Sequence, residues 1–166
     1  MNIARSFEST KLVRFQHCDP AGIVFYPQYF VLFHELIEDW FNEGLRVNYA
    51  DFIAIQKLGV PTVRMEVDFV APSEIGDTLQ FRLAVKRIGT RSIVLSLAAF
   101  AGDALRVRVQ QTIVLFSLER RESVAIPADL RQRLSLFLGE ESTQSKDASR
   151  PAAHDDPEQS NFSRRH

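Results

Sequence analysis

Asp19 is the residue best suited to chemistry in this 166-residue chain, because it stands just before an expected helix. A carboxylate there can attack a carbonyl carbon or activate a water molecule. The free N–H groups of the first helical turn, together with the helix dipole, can hold a carbonyl oxygen as it gains negative charge. The arrangement therefore permits acyl transfer. Spacing alone favours a structural role instead, in which Asp19 accepts backbone hydrogen bonds that stabilise its Asp-Pro turn or cap the helix.

The residues around Asp19 predict a reversal of chain direction. Asp19 should be extended because it precedes Pro20, and Gly22 allows tight passage of the backbone. In an extended chain His17 and Asp19 share one side while Cys18 points away, which argues against a Cys-His-Asp triad. We expect Cys18 to be a small buried residue and His17 a hydrogen-bonded structural residue rather than a metal ligand. Catalysis by Cys18 is the alternative.

A long helix is predicted from Tyr26 to Gly44. Apolar residues recur there at helical spacing, while polar residues lie mostly elsewhere around the cylinder. Pro27 suits the first turn, where a missing N–H costs nothing, and Gly44 suits the C-terminal cap. Additional apolar positions widen the apolar stripe, so this helix should be central rather than peripheral.

The remaining segments predict an α+β fold with an antiparallel sheet of about five strands around that helix. Short glycine-containing loops separate the later strands, as in hairpins, and consecutive hairpins give antiparallel pairing. Two shorter helices complete the pattern. The predicted strands are Thr10 to Gln16, Thr62 to Val70, Thr78 to Ile88, Ser92 to Ala101 and Leu105 to Leu118, and the shorter helices are Tyr49 to Leu58 and Pro127 to Leu138.

Composition predicts one domain, residues 1–138, followed by a polar tail, residues 139–166, that we expect to be disordered. Residues 140–166 contain no Leu, Ile or Val. The 20 basic and 21 acidic residues nearly cancel, so no nucleic-acid partner is expected. No segment has the length and hydropathy of a signal peptide or a membrane span, which favours a cytoplasmic protein with no membrane partner. The single cysteine excludes an intrachain disulfide and a multi-cysteine zinc site.

The segment from Cys18 to Pro27 resembles the active-site signature of the 4-hydroxybenzoyl-CoA thioesterase family, and the likeness extends over Leu12 to Ser117. The resemblance implies a hot-dog fold, in which an antiparallel sheet wraps a long helix. It implies that Asp19 is catalytic, either attacking the thioester carbonyl or acting as general base for water. The backbone N–H of Tyr26 would polarise the carbonyl, and Gly22 would allow the substrate to approach. No metal and no cofactor are expected, coenzyme A being part of the substrate.

His34 lies two helical turns beyond Tyr26 and one turn beyond Phe30, so it shares the side of the helix that should approach the acyl group. The best-known branch of the family has an Asp at this position, which recognises the phenol of 4-hydroxybenzoyl-CoA. We therefore expect His34 to recognise a differently placed hydroxyl or another polar group, although a lone His on an apolar helix is more often a core residue. Four aromatic residues could line the acyl pocket or belong to the core: Phe25, Tyr29, Phe30 and Phe33.

The segment Lys86 to Ser92 resembles the family's basic loop, which holds the phosphates of coenzyme A. Arg91 matches it best, with Arg87 and Ser92 beside it, and Gly89 and Thr90 dilute its charge. The alternative is a hairpin with two charged ends. The resemblance further places Pro61 and Thr62 near the thioester or the pantetheine arm.

The leading prediction is therefore an acyl-CoA thioesterase that acts on an aromatic, hydroxybenzoyl-like acyl group. The alternatives are a thioesterase for short-chain acyl-CoA or acyl carrier protein substrates, and a noncatalytic acyl-CoA-binding protein, because fold alone does not fix activity. A hydratase is less favoured, since no His-containing hydratase motif is present. Hot-dog domains usually pair, so we expect a homotetramer or a homodimer.

Overall fold

A computed structural model describes residues 5–139. The strands are β1 (Phe7–Leu12), β2 (Leu58–Gly59), β3 (Thr62–Phe69), β4 (Thr78–Ile88), β5 (Ser92–Ala101), β6 (Ala104–Val114), β7 (Phe116–Ser117) and β8 (Glu122–Ser123), and the helices are α1 (Tyr26–Asp39), α2 (Tyr49–Ala54) and α3 (Ala128–Ser135). Five antiparallel strands form the main sheet in the order β1-β4-β5-β6-β3, and three short strands form a second sheet in the order β2-β7-β8.

The core lies between α1 and one face of the main sheet. Alternate residues of the central strands point inward and are buried, as the period-2 pattern requires. Phe33 of α1 packs edge-to-face on Phe81 of β4, with ring centroids 5.1 Å apart. Burying each such side chain contributes about 1.5–3 kcal/mol. The predicted central helix and five-stranded antiparallel sheet are confirmed. The largest side chains buried here are Trp40, Phe33, Phe41, Phe52, Phe81 and Phe137.

The end of the long helix differs from the prediction that Gly44 is its C-terminal cap. The helix continues from α1 as one wider π-helical turn, Trp40–Gly44. The left-handed residue that follows is Arg46, with φ 56°. Gly44 is needed instead for close packing, because a Cβ atom there would lie 2.6 Å from Cδ1 of Trp40.

The first strand lies earlier than predicted, at Phe7–Leu12 rather than Thr10 to Gln16. Phe15–His17 form a short 3-10 turn, because Nδ1 of His17 accepts the backbone N–H of Arg14 at 3.0 Å and ends the extended conformation.

Three other boundaries also shift. Helix α2 is shorter than predicted, ending at Ala54, and α3 spans only Ala128–Ser135. The last long strand stops at Val114, after which Phe116–Ser117 join the second sheet.

Except for Gly139, the predicted polar tail lies outside the described residues. Within residues 5–139, no helix combines the length and the hydropathy needed to cross a membrane.

Candidate active site

Asp19 lies on a tight reversal loop that joins the 3-10 turn to α1. Cys18 and Val24 form an antiparallel bridge across the base of the loop. The N–H of Asp19 donates to the carbonyl of Ile23 at 3.0 Å, and the N–H of Gly22 donates to the carbonyl of Asp19 at 3.0 Å. Gly22 has φ 79°, which glycine adopts without strain. The predicted chain reversal is confirmed, and its cause is local.

The two carboxylate oxygens of Asp19 have different surroundings. Oδ1 accepts the backbone N–H of Ala21 at 2.9 Å, as in an Asx turn. Among residues 5–139 no hydrogen bond to Oδ2 is recorded, and the side chain is half-buried. Asp19 does not cap α1, because Phe25 holds that position and no side chain bonds to the cap. The structural role in the turn is therefore present, and it leaves one oxygen available for chemistry.

The start of α1 offers one backbone N–H next to this loop. The N–H of Phe25 donates to the carbonyl of His17 at 2.9 Å, and that of Gln28 donates to the carbonyl of Phe25 at 2.8 Å. Pro27 has no N–H. Within the described part of the chain, the N–H of Tyr26 has no backbone acceptor, so it is a free donor at the positive end of the helix dipole. The Tyr26 side chain is 57% exposed.

A segment between β3 and β4, residues 70–77, fastens the reversal loop to the rest of the fold. The N–H of Val24 donates to the carbonyl of Ser73 at 2.9 Å, and the N–H of Ile75 donates to the carbonyl of Gly22 at 3.0 Å. Ser73 is fully buried, and its hydroxyl accepts a hydrogen bond from the Tyr29 hydroxyl at 2.8 Å. Tyr29 therefore connects α1 to the segment that holds the loop.

Burial raises the pKa of Tyr29 above its ordinary value, and the hydrogen bond with Ser73 opposes that shift only in part. The hydroxyl therefore stays protonated and keeps donating to Ser73 at neutral pH. Arg106 holds the same segment from β6, since its Nη1 donates to the carbonyl of Pro72 at 2.9 Å. Sequence reasoning missed Ser73 and Arg106, because their partners lie far away along the chain.

An aromatic cleft of about 300 Å³ opens beside the reversal loop. The Phe69 ring packs on Tyr26, Tyr29 and Phe30, with centroids 6.0–6.4 Å apart. Phe33 is only 1% exposed and belongs to the core, which is one of the two environments expected for it, the other being the lining of the acyl pocket. The cleft is lined by Ile23, Val24, Tyr26, Tyr29, Phe69, Val70, Ala71 and Pro72.

His34 points outward from α1, on a surface that it shares with Glu38 and Tyr49. Its Nε2 lies 3.0 Å from Oε1 of Glu38, and both side chains are about half exposed. Its ring centroid is 6.4 Å from that of Tyr49. Burial, and then the Glu38 carboxylate, raise the pKa of Tyr49 above its ordinary value. His34 is thus not a core residue, and its predicted role in substrate binding stays a prediction.

His17 has the structural environment that was expected for it, whereas Cys18 is only partly buried rather than buried, because it lies on the surface turn that precedes the reversal loop. His17 is buried and its Nδ1 accepts the N–H of Arg14. The Cys18 thiol lies 3.6 Å from the carbonyl of Arg14. Burial, and then the neighbouring Asp19 carboxylate, raise the pKa of Cys18, which disfavours the thiolate that a nucleophile requires. Within residues 5–139, no three His, Cys, Asp or Glu side chains are grouped so as to hold a metal ion.

Thr62 and Gln111 form a pair that sequence reasoning found only in part. Nε2 of Gln111 donates to Oγ1 of Thr62 at 2.7 Å. Gln111 is 5% exposed and occupies an inward position of β6 among apolar neighbours, and its Oε1 has no partner in the described residues. An amide at an inward position of an alternating strand was the signal that could have identified it.

The predicted coenzyme A residues meet at one end of the sheet. Ser92 pairs with Val114, and the N–H of Val114 donates to the carbonyl of Pro61 at 3.1 Å, so the β4–β5 hairpin lies next to Pro61 and Thr62. Arg87 and Arg91 are exposed, and Nη1 of Arg91 lies 3.4 Å from the Ser123 hydroxyl.

The reversal loop that carries Asp19 lies at the opposite end of the same sheet. The segment that holds the loop is bonded to Arg106, near the start of β6, whereas the hairpin is next to Val114, at its end. Eight residues of strand separate these two positions, which is about 27 Å. One chain therefore unites Asp19, Gly22 and Tyr26, but it does not bring Pro61, Thr62, Arg87, Arg91 or Ser92 to them.

Comparison with known proteins agrees with this architecture. A 1,4-dihydroxy-2-naphthoyl-CoA hydrolase of Nostoc punctiforme is 26% identical over 129 residues, which is 78% of this chain and 86% of that protein. A 4-hydroxybenzoyl-CoA thioesterase of a Pseudomonas species is 27% identical over 135 residues, 76% of this chain and 96% of that protein.

The crystal structure of a 1,4-dihydroxy-2-naphthoyl-CoA thioesterase from Synechocystis superposes with a TM-score of 0.71 at 22% identity, covering 79% of this chain and 96% of that chain. The predicted hot-dog fold is confirmed. Residues 13–134 match the thioesterase-like superfamily, which agrees with the predicted class of enzyme, a thioester hydrolase. The chain belongs to the thioesterase-like superfamily.

Proposed function

We propose that this protein hydrolyses an aromatic acyl-CoA thioester to the free acid and coenzyme A. The observation that carries the proposal is the Asp19 carboxylate, held through Oδ1 by Ala21 with Oδ2 free, beside an aromatic cleft at the start of α1. Two of the relatives, from Nostoc and Pseudomonas, act on hydroxylated aromatic acyl groups, as their names state. These names support an aromatic acyl group here.

The proposed chemistry needs only groups of this site. Oδ2 of Asp19 either attacks the thioester carbonyl to form a mixed anhydride or takes a proton from an attacking water. The Tyr26 N–H donates to the carbonyl oxygen as negative charge develops there, and the helix dipole adds to this stabilisation. No metal or cofactor is required, because the thioester carbonyl is already electrophilic and the thiolate is a good leaving group.

The proposed acyl group is an aromatic ring that carries a hydroxyl group. Tyr26 and His34 are eight residues apart on α1, a rise of about 12 Å. A hydrogen bond of about 3 Å at each end leaves about 6 Å, roughly the span of a substituted aromatic ring. Nε2 of His34 faces the Glu38 carboxylate, and in the tautomer that donates from Nε2 the Nδ1 atom is an acceptor for a hydroxyl.

The complete site is proposed to need two chains. Strand β3 is at the edge of the main sheet, and Val63 and Phe69 are exposed on it. A two-fold axis that pairs two β3 edges makes them antiparallel, which brings the Thr62 end of one chain to the Phe69 end of the other. The hairpin of the partner subunit then lies close to the Asp19 loop. This pairing gives a homodimer, and two such dimers give the expected homotetramer.

The proposal is tested by measuring thiol release from 1,4-dihydroxy-2-naphthoyl-CoA, 4-hydroxybenzoyl-CoA, benzoyl-CoA and butyryl-CoA, and from the same acyl groups on acyl carrier protein. We expect the highest kcat/KM with a hydroxylated aromatic acyl-CoA. A higher kcat/KM for butyryl-CoA, or for acyl groups on the carrier protein, would show that the proposed substrate class is wrong. Tight binding of acyl-CoA without any thiol release would show a noncatalytic binding protein.

A further inference from the structure

Three arginines at the hairpin end of the sheet have no carboxylate partner. Within residues 5–139, five arginines lie within 4.0 Å of an Asp or Glu oxygen, and Arg87, Arg91 and Arg131 are among the arginines that do not. A guanidinium group without a carboxylate partner is available to an external anion, and its planar set of donors suits a phosphate.

Arg131 comes to this end from α3 rather than from the hairpin. Its Nη2 donates to the carbonyl of Gly89 at 2.7 Å. Leu130 and Leu134, which flank it on α3, are 5% and 0% exposed, so the helix is fixed on the core. Just before α3, the N–H of Ile126 donates to the carbonyl of Thr90 at 2.9 Å. The Arg131 guanidinium is therefore held against the tip of the hairpin.

The hairpin tip itself carries little positive charge. Gly89 supplies only backbone, and a Cβ atom there would come within 2.7 Å of Oγ of Ser92. Thr90 is uncharged, so the segment from Arg87 to Ser92 contains only two cations, Arg87 and Arg91. A positive group beside Gly89 has to come from another element, and Arg131 is placed there.

We propose that Arg131 binds a phosphate of coenzyme A together with Arg87 and Arg91, an inference that rests on the proposed function. A guanidinium has five N–H donors, and the bond to Gly89 uses one of them. The remaining donors are free for phosphate oxygens while the bond to Gly89 keeps the group in place. Arg131 thus binds the nucleotide end of the substrate and takes no part in the chemical step.

The test compares Arg131→Gln with Arg133→Gln on one acyl group carried by coenzyme A and by pantetheine, which lacks the phosphates. Arg133 is the matched control, because it lies on the same helix and donates to the carbonyl of Leu45 instead. We expect Arg131→Gln to raise KM for acyl-CoA about tenfold, which converts to about 1.4 kcal/mol. KM for acyl-pantetheine and kcat for both substrates should change less than about twofold.

Ionic strength gives an independent measurement. KM of the parent protein for acyl-CoA should rise with NaCl concentration, and this slope should be smaller in Arg131→Gln, because one cation has been removed. Arg131→Lys keeps the charge and should give an intermediate KM. If Arg131→Gln does not fold, inhibition of acyl-CoA hydrolysis by adenosine 3′,5′-bisphosphate is measured for Arg131→Lys and for the parent protein. We expect weaker inhibition of the variant.

Equal increases in KM for acyl-CoA and acyl-pantetheine would overturn the proposal, since they would show an effect on the fold alone. Unchanged KM for both substrates, or equal inhibition of parent and lysine variant, would overturn it as well. Failure of the proposed function has a different signature, because the parent protein would then release no thiol from either substrate.

Discussion

Oδ1 of Asp19 accepts the backbone N–H of Ala21 at 2.9 Å, so one oxygen of the proposed catalytic carboxylate already stabilises the loop that carries it. The same residue therefore combines a structural and a chemical role, one for each oxygen. These roles can be separated by substitution, because an amide retains the acceptor and loses the charge.

Asp19→Asn should keep the bond to Ala21 and remove the carboxylate. We expect kcat/KM to fall about 10²–10⁴-fold, the usual contribution of a positioned base, while the free energy of unfolding changes by less than about 0.5 kcal/mol. Asp19→Ala should lose the same activity and also about 1 kcal/mol of stability, because the loop hydrogen bond is lost. Thiol-release kinetics and urea unfolding measure both effects. A folded Asp19→Asn protein with full activity would disprove the central assignment.

Tyr26 is proposed to act through its backbone, which a proline substitution can test. Proline is tolerated at the first position of a helix, and Phe25, with φ −66° and ψ 122°, already has the conformation that a following proline requires. Tyr26→Pro should lower kcat about 10²–10³-fold, as loss of an oxyanion donor does.

Tyr26→Ala is the matched control for this substitution, since it removes the side chain and keeps the N–H. Its kcat should exceed that of Tyr26→Pro by at least about tenfold. Circular dichroism checks that both variants retain the helix. Equal kcat values would show that the side chain, and not the N–H, is the active group.

Gly44 is predicted to be required for packing. A Cβ atom there would lie 2.6 Å from Cδ1 of Trp40 and 3.1 Å from Cζ of Phe137, and these two rings are buried against each other. Gly44→Ala should therefore lower the free energy of unfolding by about 1–3 kcal/mol, although alanine favours a helix. Gly139→Ala is the control, because its Cβ atom makes only ordinary contacts. Urea unfolding that shows equal stability for both variants would contradict the packing argument.

Features set by neighbouring residues were predictable from the sequence. Pro20 and Gly22 dictate the reversal loop locally, and the helical period after Tyr26 predicts α1. The bounds of β4 and β5 were correct because a short hairpin separates them. The first strand was misplaced because its end depends on the His17 side chain, which accepts a backbone N–H that no propensity describes.

Contacts between distant residues were not predictable. The bond from Tyr29 to Ser73 spans 44 residues, and that from Arg131 to Gly89 spans 42. Neither pair has a local pattern, because side chains meet there only once the sheet has formed. The predicted site also divides between the two ends of β6, a separation that only the strand pairing reveals.

Tyr29 should make stability depend on pH in the alkaline range. Its pKa in the folded protein lies above the ordinary value of about 10 that applies to the unfolded chain. Below about pH 10 the Tyr29 hydroxyl is protonated in both the folded and the unfolded state, so Tyr29 contributes its full stabilisation. As pH rises further, the unfolded state releases the proton first, so the free energy of unfolding falls.

Tyr29→Phe should therefore show a shallower loss of stability as pH rises above about 10. It should also be about 1–3 kcal/mol less stable at pH 7, because the buried Ser73 hydroxyl loses its partner. Tyr49→Phe is the comparison, because the pKa of Tyr49 is also raised but Tyr49 makes no hydrogen bond to Ser73. An unchanged alkaline slope in Tyr29→Phe, measured by urea unfolding, would refute the assignment.

The proposed two-chain site predicts complementation between inactive variants. Asp19→Asn lacks the proposed catalytic carboxylate, and the double variant Arg87→Glu, Arg91→Glu should bind coenzyme A poorly. In a mixed dimer, one site combines the intact Asp19 loop of one chain with the intact hairpin of the other.

When equal amounts of the two variants are unfolded and refolded together, half of the dimers that form are mixed. Each mixed dimer has one intact site out of two, so about one quarter of the parent activity should return. Each variant refolded alone is the control and should stay inactive at low substrate concentration. No recovery in a mixture shown to exchange subunits would place the whole site within one chain.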